Sequence, residues 1–250
     1  MPKDHISLPK TTLLKFSNSG VFKYLELKRN KIFSGKAATY NTEESYYSSR
    51  IEKLLSDEIE KKIGRLSSDI EKCRNDNKEF TWHPDELKKI CYSWIIVQWI
   101  RTVNAKEGFR KASVFKDVLP PQIYTLFMNE NIDKFLSYGE RVFEKLPAQG
   151  MDLEVSLCML PKNCASTFLL PTTHFMGVNS GLFFILSPHS CVFYAPKERI
   201  PSDQIVTLSD EAVDSLIEHF VRHETNHGDG HLIGYEEQLI KAQKYIKENF

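Results

Sequence analysis

The sequence predicts an α+β fold: an N-terminal β-hairpin, a helical middle, a small mostly antiparallel sheet and two C-terminal helices. Three observations carry this. Apolar residues keep helical spacing through much of 41–150, and shift to short, turn-bounded runs over 151–208. Helical spacing returns over 209–250, with capping residues at both ends of the first helix there. No repeat, low-complexity stretch or linker interrupts the chain, so 1–250 reads as a single domain with segments 1–40, 41–150, 151–208 and 209–250.

The elements follow in order. Val21-Phe-Lys-Tyr-Leu-Glu-Leu27 and Lys31-Ile-Phe33, parted by Arg29-Asn30, read as a short antiparallel hairpin. Thr42 with Glu43 and Glu44 reads as the start of a long helix whose stripe is Ile51, Leu55, Ile59, Ile63, Leu66 and Ile70. Pro84 with Asp85 and Glu86 opens a second helix, apolar nearly all round at 94–100 and therefore central. Gln98 within it needs a specific partner. Pro120-Pro121 begins a third helical region. Leu153–Met159, Phe168–Leu170, Leu182–Leu186 and Cys191–Tyr194 read as strands. A helix capped by Ser209 runs from about Asp210 to near Gly228, and a last one from about Tyr235 to Asn249.

Composition excludes several classes. The net charge is 0, with 41% hydrophobic and 26% charged residues, so no global field draws the chain to nucleic acid or an anionic membrane. The five cysteines form no Cys-x-x-Cys pair, which suits buried thiols in a reducing cytoplasm better than disulfides or a zinc ribbon. The N-terminus lacks an apolar signal core, and no apolar run approaches the ~20 residues that span a bilayer, so no membrane partner is expected. Residues 1–36 hold eight Lys/Arg against two acids. That basic hairpin suits nucleic acid through its phosphates, although solvated lysines guarding a strand edge explain it more simply. Partners and oligomeric state are otherwise unmarked.

The most specific constellation is a histidine ladder. His219, His223, His227 and His231 fall four residues apart, and Glu224 makes the centre His-Glu-Thr-Asn-His. In zinc hydrolases two neutral imidazoles one turn apart hold the metal and the adjacent Glu activates its water. His223 and His227 are thus candidate zinc ligands and Glu224 a candidate general base. Against this, Thr225 and Asn226 are poor helix formers, Gly228 ends the helix, and His231 lies beyond it. Glu224 and His227 fall within the apolar stripe set by Val213, Leu216, Ile217, Phe220 and Val221, so they need buried hydrogen-bond or metal partners. A polar helix end is the simpler reading. No cofactor is expected, zinc being the one metal this ladder would take.

Several segments together resemble the domain of unknown function 4238 family. Pro9-Lys-Thr-Thr-Leu13-Leu-Lys-Phe16 keeps that family's Pro, Leu and Phe spacing, with His5 one residue early and Ile6 in the usual histidine place. Glu43-Glu-Ser-Tyr-Tyr47, Ile51-Glu52 and Gln98-Trp-Ile-Arg101-Thr102 are similar to its later signatures. Leu186-Ser187-Pro188 matches another. At Leu170-Pro171-Thr172-Thr173-His174, Thr172 stands where the family carries Asp. The resemblance implies a shared polar pocket, with His5, Glu52, Gln98 and Arg101 as ligand-binding candidates. With His5 displaced and the Asp absent, it favours a binding protein with no intact active site. The alternatives are a metal-dependent hydrolase of peptide or phosphodiester bonds, and a nucleic-acid-contacting module.

Overall fold

A computed structural model describes residues 3–5, 8–40, 42–44, 53, 55–76, 79–83, 85–88, 90–91, 94, 153–178, 181–196, 198, 205–227 and 229–250. The fold is α+β. It begins with β1 (Lys3–His5), α1 (Lys10–Lys15), β2 (Ser17–Asn18), β3 (Val21–Glu26), β4 (Lys31–Lys36) and β5 (Thr42–Glu44). A π-helical turn (Leu55–Glu60) then leads into α2 (Lys61–Asp76). Next come β6 (Leu153–Met159), β7 (Leu170–Pro171), β8 (Phe175–Val178), β9 (Gly181–Ser187), β10 (Ser190–Pro196) and β11 (Ile205–Thr207). The chain closes with α3 (Asp210–His227), β12 (His231–Gly234) and α4 (Glu236–Asn249).

The strands form two five-stranded sheets and a short β1–β5 pair. One sheet has the order β11-β6-β10-β9-β8, antiparallel except for β11 beside β6. Its strands are apolar on both faces, as a sheet buried on both sides requires: Leu157, Phe184, Ile185 and Cys191 are each fully buried. In the other sheet the expected hairpin β3–β4 is extended by distant segments. β12 pairs with β3 over Lys23–Glu26, and β7 pairs with β12. Gly234 in β12 is required by close packing, since a Cβ there would lie 2.6 Å from Leu169 Cδ2. A hydrophobic cluster of the described residues draws on both sheets, α1, α3 and α4. Each large apolar side chain buried in it stabilises the fold by about 1.5–3 kcal/mol.

Helix α3 forms as its sequence foretells. Ser209 caps it, its hydroxyl accepting the Ala212 N–H at 3.3 Å, and Val213, Leu216, Ile217, Phe220 and Val221 all face the core. In α2 and the turn before it, Ile59, Ile63, Leu66 and Ile70 are buried as their spacing requires.

Two expectations are corrected. Thr42, Glu43 and Glu44 are strand rather than a helix start, because their backbone pairs with Lys3–His5 and this non-local ladder overrides the local capping pattern. Of Phe168–Leu170, only Leu170 is strand; the Phe168 N–H instead bonds the Pro188 carbonyl at 2.8 Å. The second helix is described at 85–88, 90–91 and 94. The third helical region lies outside the described residues. Among the described residues, no helix is long and apolar enough to cross a membrane.

Candidate functional site

The segment between β7 and β8, Thr172–His174, carries the chain from one sheet to the other. One side of this crossover meets the histidine helix, and its far end turns into a cleft. Together these form the candidate site.

On the helix side, Glu224 is fully buried and accepts four hydrogen bonds. Its Oε2 takes the Thr172 N–H at 2.9 Å. Its Oε1 takes the Thr172 hydroxyl, the Gly230 N–H at 3.0 Å and the His231 N–H at 3.1 Å. Thr172 Oγ1 in turn accepts the Asp229 N–H at 2.8 Å. Glu224 thus ties together the end of α3, the start of β12 and the crossover. Burial pushes its carboxyl up to about 7, against the lowering pull of the bonds from Thr172 and His231.

The histidines go separate ways. His223 Nε2 lies 2.9 Å from Thr173 Oγ1. That hydroxyl gives its proton to the Phe175 carbonyl at 2.8 Å, so the imidazole must be the donor and Nε2 carries a hydrogen. His231 Nδ1 sits 3.0 Å from the Tyr40 hydroxyl, and burial lowers its affinity for a proton. Which of the two groups donates in that contact follows the ring's tautomer. His219 is half-buried on α3; His227 closes that helix, its side chain outside the description. Glu224 faces the crossover, the reverse of what a water-activating base requires. Among the described residues, no group of three or more His, Cys, Asp or Glu side chains is placed to hold a metal ion.

The far end of the crossover is His174. Its backbone lies in the left-handed region (φ 68°), costly for a residue with a Cβ, and its ring is fully buried edge-on to Trp94 at 5.1 Å. Thr12, Lys15, Glu60, Trp94, His174 and Leu186 line a cleft here whose central space, about 10 Å³, is water-sized. Glu60 ends the π-helical turn, a rare geometry enriched at functional sites. Burial lowers the Lys15 ammonium to about 8, although the Glu71 carboxylate pulls the other way. Among the described residues, Lys15 has no hydrogen bond or ion pair.

Beside the cleft, the Ser187 hydroxyl donates to Glu71 Oε1 at 2.8 Å and accepts the His189 N–H at 3.1 Å. Ser190 Oγ lies 2.8 Å away. Burial would raise Glu71, but hydrogen bonds from His189 and Ser187 outweigh it and hold the carboxyl below its usual range. Nothing in the sequence links Ser187 to Glu71, which is 116 residues away. Lys15 and Glu60 were missed too: nothing local distinguishes them from surface charges. The sequence did mark the neighbourhood, since Pro9–Phe16, Leu170–His174 and Leu186–Pro188 each supply part of the cleft wall. Of the four ligand-binding candidates, His5 lies on β1 opposite Thr42, its side chain outside the description. Glu52, Gln98 and Arg101 lie outside the described residues. No known family, curated protein or solved structure matches this chain.

Proposed function

We propose that this chain, as a divergent member of the domain of unknown function 4238 family, acts by binding a small polar ligand at the mouth of the cleft between α1, α2, Trp94 and the β9–β10 hairpin. One observation carries the reading: three locally unfavourable features meet at one space. They are a π-helical turn ending at Glu60, a left-handed buried histidine at 174, and a largely desolvated Lys15 that has no ion pair among the described residues. Strain and desolvation persist where the surrounding structure enforces them, and such sites are preferentially ligand sites.

A thermal-shift screen of small polar metabolites tests this. A ligand present at 100 times its Kd stabilises the folded state by about 2.7 kcal/mol. The expected result is a compound that raises Tm in the wild type and loses at least tenfold in affinity in Lys15→Met. A library without any hit, or hits indifferent to Lys15→Met, would sink the reading.

A further inference from the structure

We propose a second binding site, for a neutral saccharide, in the open groove between the β2–β3 hairpin and the start of α4. The groove shares no lining residue with the cleft beside Lys15. Its volume of about 690 Å³ falls within the range of about 300–1,000 Å³ usual for small-molecule sites.

The wall carries an open aromatic ring. Tyr235 is 42% exposed, and the His189 ring meets it edge-on with centroids 6.3 Å apart. A ring held in one orientation costs a ligand little ordering entropy. A pyranose has an apolar C–H face that lies flat on such a ring. Val21, 43% exposed, extends the apolar surface.

The charges in the groove cancel. Lys23 from β3 pairs with Glu236 from the first turn of α4. An anion would have to displace Glu236, and a cation Lys23. A hydroxyl both donates and accepts, so it can serve the ammonium and the carboxylate together.

Further polar groups stand open beside that pair. Among the described residues, the Ser34 hydroxyl and the Asn18 Nδ2 have no hydrogen bond, while Asn18 Oδ1 accepts the Ser19 hydroxyl at 3.4 Å. Strand register fixes both positions: Ser34 lies opposite Lys23, and Asn18 opposite Val21. The turn between β2 and β3 is tight, with Ser19 and Gly20 both left-handed at φ 52° and 80°. A neutral ring rich in hydroxyls, with one apolar face, matches this set of groups.

The test uses the full chain and saturation-transfer NMR. The probes are glucose, galactose, mannose and N-acetylglucosamine, each as the monosaccharide and as a linear tetrasaccharide. At least one should bind with a Kd of about 5 mM or tighter. The Kd should stay within about twofold between ~50 and ~500 mM salt, as a neutral ligand requires. Tyr235→Ala should weaken binding at least tenfold and Tyr235→Phe less than threefold, because the ring carries the contact. Tyr235 makes no side-chain bond to the start of α4, so the alanine variant keeps that helix end, which circular dichroism verifies. Exposed Ser34→Ala, at least threefold weaker, reads the same groove independently. A tetrasaccharide bound at least tenfold tighter than its monosaccharide identifies a glycan chain as the source, and equal affinity a free sugar. No binding by any probe up to about 20 mM, or binding indifferent to Tyr235→Ala, overturns the proposal. So does a steep loss of affinity with salt, the mark of a charged ligand. Lys15→Met does not touch this groove, so the two sites stand or fall separately.

Discussion

Thr172 meets Glu224 twice, through its backbone N–H at 2.9 Å and through its hydroxyl, so a single carboxylate orients both the main chain and the side chain of the crossover. The arrangement explains why a Glu sits on the apolar face of α3. Three backbone N–H groups from two separate segments donate to it, and leaving them unmet in the interior would be costly. Glu224→Ala should therefore destabilise the fold by about 3–5 kcal/mol, at the upper end for one side chain. Urea denaturation checks this; a loss under about 1 kcal/mol would mean that water replaces the carboxylate.

The same residue sets a pH dependence. Its folded carboxyl at about 7 stands above the ordinary 4.5. A raised carboxyl contributes stability that is fully present below pH 4.5 and lost as pH climbs through 7, roughly 3 kcal/mol in all. Comparing wild type with Glu224→Gln removes the other titrating groups from the difference. The wild type should lose about that amount relative to the variant between pH 4.5 and 8. A slope of opposite sign would show that four hydrogen bonds outweigh burial.

Thr172→Asp, which installs the residue expected from the family resemblance, should be strongly destabilising. It sets a second carboxylate against a buried one, and one of the two must then stay protonated. The cost should be about 3 kcal/mol or more at pH 8 and smaller at pH 5. Adding Glu224→Gln supplies an amide donor for Asp and should recover at least about 1 kcal/mol. Equal stability of the single and double variants would refute the pairing.

His223 and His219, on the same helix as Glu224, should separate cleanly. His223→Ala loses the bond to Thr173 and the edge contact with Phe175 at 5.6 Å, and should cost about 1–2 kcal/mol. His219→Ala, half-buried on α3, should stay within about 0.5 kcal/mol of wild type. Nitrogen NMR should find the His223 proton on Nε2. A proton found only on Nδ1 would reverse the assigned donor.

What the sequence displayed was local order. Ser209, the stripe from Val213 to Val221, and the apolar runs of β6, β9 and β10 carry their own periodicity, and each appears where it was read. Glu224 was legible as a buried polar group in need of partners; the partners were not, because Thr172 lies 52 residues away. The same holds for β12, the four residues that follow Gly230. It becomes strand only because β3 and β7 flank it. Thr42–Glu44 shows the converse, a sound local helix signal overruled by β1. The cleft was invisible for the same reason. Lys15, Glu60 and His174 acquire their character from burial, which no window of sequence reports.

The pairing of β3 with β12 bears on how the chain comes to fold. The ion pair between Lys23 and Glu236 joins groups 213 residues apart, and the strands beside them are equally remote. Closing so long a loop is entropically slow, and until it happens β3 offers an unpaired edge on one side. A nascent polypeptide emerging from the ribosome would therefore carry an incomplete sheet through most of its synthesis. A polypeptide lacking residues 231–234 is therefore expected to aggregate more readily than one in which β12 covers that edge of β3.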